Sequence, residues 1–413
     1  MDKRVLVISH NCFNKTNNMG ITLNSYFCRW DKEKIAQIFF VNDIPDSDCC
    51  SKFYKLTDKN IFDTIFGKKS YGYEVKNLSS IQNSAQLSFA TKIARNRTPF
   101  IYCIRNLLWR MGKWNNEKLW RFIDDFNPEV IYYASGDYVF SYKIALFIAK
   151  KKRIPLIIGC FDDFYISRKF SFNPFYYLNR LLFKRQTKKT FFYCSGFTSS
   201  SELMLKDYSA IFNKKGFTIY KSSCYEKAES YNLHGDIVYA GNLGYGRATQ
   251  LVNLGRFLKK KGLPLLHVYS GEVRVGLTKL MSENNGIVFH GRVSGNEIEM
   301  IIKKASFIVH VESFKKNNIK RVKYSLSTKI ADYLKSGIPI IAVGANDVAS
   351  INYLYKNNAA FCFLNEDSLK EIDNIFNKDK INKVVGNAQE LYKLNHTESD
   401  NSQKMKVLIN LSV

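Results

Sequence analysis

The chain has 413 residues and is strongly basic, with 62 lysines and arginines against 36 aspartates and glutamates and a formal net charge of +26. Its length suffices for two domains with separate cores, and its hydrophobic fraction of 46% is that of a globular protein. No apolar run approaches the roughly 18 to 20 residues of a membrane-spanning helix, and the N-terminus passes straight into a strand rather than a signal peptide. We therefore expect a cytoplasmic protein, either soluble or peripheral to a membrane.

The nine cysteines are scattered along the chain and include no C-x-x-C pair. A disulfide framework or a zinc site would need closely spaced or paired cysteines. The pattern therefore favours reduced thiols in a reducing compartment.

The positive charge is concentrated in two stretches that also carry bulky apolar side chains. Residues 92–121 contain eight basic residues and one acid, and residues 168–189 contain seven basic residues and no acid. Such an excess implies an anionic partner: a nucleic acid, an anionic membrane surface or a phosphorylated substrate. Basic residues mixed with aromatics and leucines indicate a surface that dips into lipid headgroups. The alternative is an ordinary core with a solvated basic face. No nucleic-acid-binding motif accompanies the charge, so we expect no nucleic-acid partner.

Strands and helices alternate in the first half, as in a doubly wound α/β fold. The strand VLVIS ends at Ser9 and is followed by a polar loop that ends at Gly20. A helix is predicted to follow. This loop is not G-x-G-x-x-G, so it predicts dinucleotide binding only weakly. Residues 45–90 have no clear pattern. The later predicted elements are strands at 37–41, 130–133 and 154–159 and helices at 117–126 and 142–152.

A second alternating series begins after the polar stretch 221–235, where we place the domain junction. Its predicted strands are 237–240, 265–270, 287–290, 307–311 and 338–344, and its predicted helices are 249–261, 277–282, 294–304 and 329–335. The remainder, from residue 368 to the C-terminus, is acidic and helical in pattern. The whole chain is thus predicted to be α/β.

The stretch from His310 to Gly344 predicts a strand, a loop, a helix N-terminus and another strand. In open α/β sheets, ligands bind at the carboxyl ends of strands, where helix N-termini offer N–H groups to phosphates. Ser327 or Thr328 is predicted to cap the helix, and Lys329 adds a positive charge. Asp332, one turn further on, is close enough in sequence to reach ribose hydroxyls.

Three further polar groups follow predicted strands in this half. The loop from Gly241 to Arg247 contains three glycines for close backbone approach, and its arginine suits a phosphate. The His290-Gly291 pair could read a nucleobase edge, and Glu312 suits sugar hydroxyls. Taken singly, the loop could be a flexible turn, the histidine structural and the glutamate solvated. Together they predict one site for a nucleotide-linked sugar, with the loop residues Gly241, Asn242, Gly244 and Arg247 among its members.

These residues resemble the retaining glycosyltransferases of the B fold, the group 1 or family 4-like enzymes of bacterial surface-polysaccharide synthesis. The matching segments are GNLGYGR, FHGRVS, HVES and STKIADYLKSGIPIIAVG, and VLVIS and IPLIIGCFDDF are similar to the family's first half. The resemblance implies two doubly wound Rossmann-like domains that face each other across a cleft. Residues 1–225 would bind the acceptor and 226–385 the nucleotide sugar, and the helical segment 386–413 would pack back on the first domain.

The resemblance also implies roles for single residues. The glycine loop with Arg247 would approach the donor diphosphate, His290-Gly291 would lie near the base, Glu312 would contact the donor sugar and Asp332 would hold the ribose. Gly20 would also lie on the donor side. The family commonly has two glutamates separated by seven residues, whereas nineteen residues separate Glu312 from Asp332 here, including a basic loop at 315–323.

The first half departs from the family as well, because it lacks the histidine that many relatives place after the strand at 130–133. Asp137 stands near that place and His10 lies in the first loop, so either could act near an acceptor hydroxyl. Asp162 and Asp163, which follow the next strand, complete the acceptor-side candidates. They are adjacent rather than spaced as Asp-x-Asp, and we see no suitably placed metal motif.

The resemblance therefore predicts transfer of a sugar from a nucleoside-diphosphate sugar to a glycan acceptor carried on a lipid at the inner face of the plasma membrane. The candidate catalytic groups are Arg247, Lys329, Glu312 and Asp137. Fixed cations would stabilise the leaving diphosphate, so no metal cofactor is expected. Two alternatives remain open: a nucleotide-sugar 2-epimerase on the same fold, and a non-catalytic basic protein that binds a membrane or polyanion.

Overall fold

The computed structural model describes residues 2–15, 18–69, 71–75, 98–167, 170–223, 225–229 and 231–411. The chain divides into two compact units, one formed by Met1–Ile219 with Glu398–Val413 and the other by Tyr220–Thr397. Each unit has its own parallel sheet and its own buried apolar clusters.

The first unit is built on a sheet in which the described residues form eight strands, in the order β4-β3-β2-β1-β5-β6-β7-β8. All neighbours pair in parallel except β3 and β4. Every residue of β1, β5 and β6 is buried, which explains why these strands are continuous apolar runs in the sequence. The strands are β1 (Val5–Ser9), β2 (Ile35–Phe39), β3 (Lys52–Lys55), β4 (Tyr73–Glu74), β5 (Val130–Ala134), β6 (Leu156–Cys160), β7 (Gly196–Ser199) and β8 (Gly216–Thr218).

Helices connect these strands and cover the sheet. They are α1 (Asn18–Phe27), α2 (Asp58–Ile65), α3 (Pro99–Met111), α4 (Glu117–Phe126), α5 (Val139–Lys152), α6 (Pro174–Tyr193) and α7 (Glu202–Phe212). None of the helices in the described part of the chain is long and apolar enough to cross a membrane.

The second unit has a six-stranded parallel sheet in the order β11-β10-β9-β12-β13-β14. Counted along this unit, the order is 3-2-1-4-5-6, which is that of the Rossmann fold. The strands are β9 (Ile237–Ala240), β10 (Leu266–Tyr269), β11 (Ile287–Gly291), β12 (Phe307–Val311), β13 (Ile340–Val343) and β14 (Phe361–Phe363). The helices are α8 (Arg247–Lys260), α9 (Val275–Thr278), α10 (Gly295–Lys304), α11 (Lys316–Val322), α12 (Lys329–Ser336), α13 (Ala349–Lys356) and α14 (Lys378–Asn395).

The C-terminal segment that was predicted as one piece, 386–413, is divided between the units. Its last helix, α15 (Glu398–Leu411), packs against α1, and Met405, Leu408 and Ile409 enter the core of the first unit. Helix α14 instead contributes Ala388 and Leu391 to a core of the second unit. The chain therefore returns to the first unit at Glu398, because that is where the apolar side chains change partner.

Two stretches have more regular structure than the sequence predicted. The described part of residues 45–90 contains β3, α2 and β4, elements of only four, eight and two residues, too short for a clear period. Residues 70 and 76–90 lie outside the described residues. Residues 315–323, predicted as a basic loop, contain α11. Short elements of this kind are stabilised by their packing rather than by their own pattern.

A buried charged group ties α2 to α3 in the first unit. The Oδ1 atom of Asp58 accepts hydrogen bonds from Arg105 Nε at 2.9 Å and from Trp109 Nε1 at 2.6 Å. The side chains of Asp58 and Arg105 are only 5% and 6% exposed. A buried ion of either sign is costly without its partner, so each of these two charges depends on the other.

We predict that Asp58→Ala lowers the free energy of unfolding of the first unit by about 3–5 kcal/mol, because it leaves the Arg105 guanidinium buried and unpaired. The matched control is Lys15→Ala, which removes an exposed pair with Asp48 and should cost less than about 0.5 kcal/mol. All four tryptophans, Trp30, Trp109, Trp114 and Trp120, lie in this unit. Urea unfolding followed by tryptophan fluorescence therefore measures it, and equal midpoints for the two variants would contradict the prediction.

Candidate functional site

The strand order of the second sheet reverses between β9 and β12, which is where ligands bind in folds of this type. The parallel pairing of β9 with β12 joins Ile237 to Phe307 and Val238 to Ile308, in the amino-terminal halves of the two strands. Beyond these pairs, at the carboxyl ends, lies an open pocket whose volume, counted with the solvent space at its mouth, is about 330 Å³. It is lined by Tyr239, Ala240, Asn242, Arg247, His310, Val311, Glu312, Ser327, Lys329 and Tyr333.

Arg247, the first residue of α8, is held in place on three sides. Its Nη2 lies 2.8 Å from Glu312 Oε1, its Nη1 donates to Asn242 Oδ1 at 2.8 Å, and its Nε donates to the Val311 carbonyl at 3.2 Å. The preceding Gly246 has φ +80°, and a Cβ there would come within 2.6 Å of Ser313 Oγ. Glycine is thus required for the turn that delivers the guanidinium to the pocket.

Lys329, the first residue of α12, provides a second fixed cation. Its Nζ donates to the Ala240 carbonyl at 2.6 Å, at the end of β9. A Cβ on Gly241 would lie 2.8 Å from that nitrogen, so the glycine makes room for the ammonium group. Burial, together with the positive charge of Arg247, lowers the pKa of Lys329 to about 8.

Glu312 and His310 bring two unsatisfied polar atoms to the same pocket. Their side chains are 3% and 7% exposed, and Glu312 Oε1 lies 3.8 Å from His310 Nε2. Neither Glu312 Oε2 nor His310 Nε2 has a hydrogen-bond partner among the described residues. Burial raises the pKa of Glu312 against the opposing effect of Arg247. Burial and the nearby cations lower the pKa of His310 to about 3, so its ring is neutral at physiological pH.

These two atoms are a site feature that the sequence prediction missed in part, since it named Glu312 but not His310. A buried polar atom without a hydrogen bond costs about 1–3 kcal/mol. A ligand that offers hydroxyl groups to both atoms would recover that cost. The signal in the sequence was the alternation of His310 and Glu312 about Val311, at the end of an otherwise apolar strand.

The start of α12 differs from its prediction. Thr328 already has helical backbone angles, φ −60° and ψ −21°, and makes no capping hydrogen bond through its side chain. The Ser327 N–H donates to Ser350 Oγ at 3.0 Å, and Ser327 lines the pocket. The prediction of a Ser327 or Thr328 side-chain cap was therefore wrong, because the backbone already has helical angles at Thr328, whereas a capping residue has an extended backbone.

Asp332 is engaged away from the residues that line the pocket. Its carboxylate lies 3.0 Å from Lys221 Nζ and accepts a 2.7 Å hydrogen bond from Ser223 Oγ. Both partners come from the polar stretch that the sequence suggested as the domain junction. The ribose role of Asp332 remains a prediction, and in this structure the carboxylate anchors that stretch to α12.

The predicted base-binding pair lies at the end of the edge strand β11. The His290 ring stacks on Tyr269 with centroids 4.4 Å apart, and its Nε2 lies 3.0 Å from His267 Nδ1. Gly291 has φ +73° and accepts a hydrogen bond from Ser270 N–H at 2.7 Å. Gly244, in the loop before α8, donates to Asn242 Oδ1 at 3.2 Å. His290, Gly291 and Gly244 are not among the residues that line the Arg247 pocket.

The sheet of the first unit reverses its strand order between β1 and β5, and two predicted acceptor-side residues follow these strands. The His10 ring lies 4.2 Å from the Tyr138 ring, and Tyr102 OH donates to Asp137 Oδ2 at 2.6 Å. Tyr102 and Tyr138 stack with centroids 5.8 Å apart. His10 and Asp137 thus belong to one cluster, joined by two tyrosines that the sequence prediction did not name.

Asp163 has a structural position. Its carboxylate accepts hydrogen bonds from the N–H groups of residues 165, 166 and 167 at 2.6–3.0 Å and from Tyr208 OH at 2.7 Å. Four donors occupy both oxygens, so the side chain shapes its own loop, and an acceptor would have to displace them. Asp162 beside it is exposed.

Gly20 lies in α1 of the first unit rather than among the residues that line the Arg247 pocket. A Cβ there would come within 2.5 Å of the Asn14 backbone nitrogen. Close packing of the first loop on α1 explains this glycine.

Comparisons with protein-family models and with curated protein sequences found no significant match. Solved structures do match along the whole chain. HepE of Anabaena in complex with UDP has a TM-score of 0.57 at 12% identity, covering 98% of this chain and 99% of that chain. A TarM variant of S. aureus in complex with fondaparinux, alpha-GlcNAc-glycerol and UDP has a TM-score of 0.60 at 11% identity, covering 99% and 100%.

A third match is the N-terminal domain of trehalose-6-phosphate phosphatase of Candida albicans, with a TM-score of 0.61 at 11% identity, covering 100% of this chain and 98% of that chain. At these identities the similarity concerns the fold. The predicted fold, two Rossmann-like domains of the glycosyltransferase B type, is confirmed.

We predict that the affinity of the pocket for a doubly charged oxyanion such as sulfate falls about fivefold between about pH 8 and pH 9, since the ammonium of Lys329, whose pKa is about 8, loses its proton there. Below about pH 7 the group is protonated and the affinity should be constant. Lys329→Arg is the matched control, because guanidinium keeps its charge throughout this range. Calorimetric titrations at several pH values test this, and identical profiles for the two proteins would show that Lys329 does not hold the anion.

Proposed function

We propose that this protein is a glycosyltransferase that moves a sugar from a nucleoside-diphosphate sugar to a glycan acceptor. The observation that carries the proposal is the pocket between β9 and β12. It combines two fixed cations, Arg247 and Lys329, with the unsatisfied polar atoms Glu312 Oε2 and His310 Nε2. Cations suit a diphosphate, and unsatisfied buried polar atoms suit sugar hydroxyls, which can both donate and accept hydrogen bonds. The UDP named with the HepE and TarM structures supports the same ligand class.

The proposed reaction breaks the bond between the anomeric carbon and the diphosphate oxygen, and the electron pair leaves with the diphosphate. The acceptor hydroxyl oxygen forms the new bond to the anomeric carbon, and its proton passes to the departing diphosphate. Negative charge therefore grows on the leaving group, where positive groups that are already in place stabilise the transition state. Arg247 meets this requirement because three hydrogen bonds fix its guanidinium before any ligand arrives.

The finer features of the proposal have separate supports. Retention of configuration and a role in bacterial surface-polysaccharide synthesis follow from the sequence resemblance to the retaining B-fold enzymes. A lipid-carried acceptor at the inner face of the plasma membrane follows from the net charge of +26 and its interleaved aromatics. His10 and Asp137 are the proposed acceptor-side groups. Comparison of the anomeric configuration of donor and product by NMR tests retention.

We also propose that the reaction needs no metal ion, because Arg247 and Lys329 already bring two positive charges to the pocket. Turnover that is unchanged after chelation with EDTA would agree with this. Turnover that is lost with EDTA and restored by a divalent cation would contradict it.

The reaction class needs its own test, because a shared fold does not imply a shared reaction. One of the matching structures is named as a domain of a phosphatase. A panel of nucleotide sugars should first identify the donor, since a ligand at a hundred times its dissociation constant stabilises a protein by about 2.7 kcal/mol. The donor is then incubated with and without glycan acceptors. Conversion of the donor sugar to its epimer without an acceptor would instead identify a 2-epimerase, and binding of no nucleotide would leave a membrane- or polyanion-binding protein.

We predict that Arg247→Ala and Lys329→Ala each lower kcat by about 10²–10³, the loss expected when a group that stabilises transition-state charge is removed. The control is Arg256→Ala on the same helix, whose Nε donates to Asn285 Oδ1 at 2.9 Å away from the pocket. This control should keep nearly full activity. Near-normal donor turnover in both pocket variants would refute the assignment.

We predict that His310→Leu lowers donor affinity about tenfold, since it removes a polar atom that would bond the donor, while the melting temperature stays equal or rises. Stability should not fall, because the ring makes no hydrogen bond with the described residues through Nε2 and leucine fits an apolar strand. Donor titration and thermal unfolding on the same variant separate the two effects. A variant that melts earlier and binds the donor normally would show that His310 is only structural.

A further inference from the structure

The described parts of the two basic, aromatic stretches contain the helices α3 and α6 of the first unit, which pack against each other. Residues 92–97, 168 and 169 lie outside the described residues. The Phe100 and Phe175 rings lie 5.1 Å apart. Asn179 Nδ2 donates to the Pro99 carbonyl at 2.6 Å and Asn106 Nδ2 to Asn179 Oδ1 at 3.0 Å. The helix pair is therefore one surface, which we call the α3–α6 face.

The α3–α6 face exposes many large apolar side chains. On α3 they recur at Phe100, Leu107 and Met111, a spacing that puts them on one side of the helix. Phe172, just before α6, is 92% exposed. Soluble proteins seldom leave large apolar groups contiguous at the surface unless something covers them. The exposed members on and before α6 are Phe170, Phe172, Phe175, Tyr177, Leu178, Leu181 and Leu182.

The exposed side of α6 changes from apolar to basic along the helix. Leu178, Leu181 and Leu182 are followed one and two turns later, on the same side, by Arg185, Lys188 and Lys189, all exposed. Neither α3 nor α6 contains an aspartate or a glutamate. The face thus joins an apolar patch to a cationic one with no acid on either helix.

We propose that the α3–α6 face docks the protein on an anionic bilayer, with the apolar patch in the acyl boundary and Arg185, Lys188 and Lys189 on the headgroup phosphates. A second copy of the chain is a poor occupant, because two such cationic faces would repel each other. A nucleic acid would leave the apolar patch uncovered. An anionic membrane matches both halves of the face.

Helix α3 connects this face to the acceptor-side cluster. Its opposite side carries Tyr102, whose OH donates to Asp137 at 2.6 Å, and Arg105, whose guanidinium lies 4.2 Å from the centre of the Tyr138 ring. The docked protein would therefore hold Asp137 within one helix thickness of the bilayer. The inference deepens the proposed function, since it gives a physical route by which a lipid-carried acceptor reaches this cluster.

The test is flotation of the full chain with vesicles of phosphatidylcholine, alone or with about 30% phosphatidylglycerol. We expect binding to the anionic vesicles only, and a steep loss of binding as the salt is raised from about 0.1 M to about 0.5 M. Absence of binding to anionic vesicles at low salt would overturn the proposal.

The variant R185E/K188E/K189E should partition at least about 100-fold more weakly, because three attractive charges become repulsive. The matched control K378E/K380E/K383E makes the same charge change on exposed residues of α14 and should bind like the unchanged protein. L178S/L181S, which alters only exposed positions, should bind about tenfold or more weakly. If the α6 and α14 charge variants lost vesicle binding equally, net charge alone would attract the protein to the membrane, and the proposal that the α3–α6 face docks it would be overturned.

Light scattering on the same proteins tests whether a second copy of the chain binds the α3–α6 face. A dimer that dissociates in L178S/L181S would mean that the face joins two copies, and would also overturn the proposal. Donor turnover with a soluble acceptor should be the same in all these variants. Near-normal donor turnover in Arg247→Ala and Lys329→Ala, together with normal flotation, would refute the proposed reaction and leave the membrane docking standing.

Discussion

The ion pair between Arg247 and Glu312 is the interaction on which the candidate site depends. It joins the helix that follows β9 to the end of β12, across the point where the strand order reverses, at 2.8 Å. Both groups are largely buried, so burying either charge without the other would cost free energy. The ion pair, with the Asn242 and Val311 hydrogen bonds to the same guanidinium, offsets that cost. The pair fixes the cation and leaves the second carboxylate oxygen of Glu312 at the pocket wall.

Several glycines are consequences of this arrangement. Gly246 takes a left-handed conformation where a side chain would collide with Ser313, and Gly241 leaves room for Lys329. The two cations reach the pocket by different routes, Arg247 from the start of α8 and Lys329 from the start of α12. Burial, together with repulsion from Arg247, lowers the pKa of Lys329, and burial together with the charges of both cations lowers the pKa of His310 and keeps its ring neutral. The site is therefore already arranged for an anion, because ligand charge would relieve this repulsion.

Two acids that the sequence assigns to ligand binding, Asp332 and Asp163, also hold structural positions in the fold. Asp332 lies in the first turn of α12, and Asp163 follows the end of β6, both places where a ligand-binding acid is expected. The first is paired with Lys221 and Ser223, and the second is bonded to the backbone of its own loop and to Tyr208. A carboxylate that is partly withdrawn from water must be satisfied by whatever donors are near. Donors that come from distant parts of the chain cannot be counted from the sequence around the acid.

The sequence by itself determined most of the strands and most of the helices, since continuous apolar runs, glycine ends and helical periods are local properties. It also determined the Gly241–Arg247 loop, Glu312 and Lys329, because strand ends in a parallel sheet converge at one edge. The tertiary structure decided which of these residues share a pocket, and it added His310, Tyr239 and Tyr333 from within buried segments. It also decided that α15 belongs to the first unit and that two separate basic stretches form one face. These outcomes depend on contacts between residues far apart in the chain, whose energies come from packing and burial, which local sequence patterns do not encode.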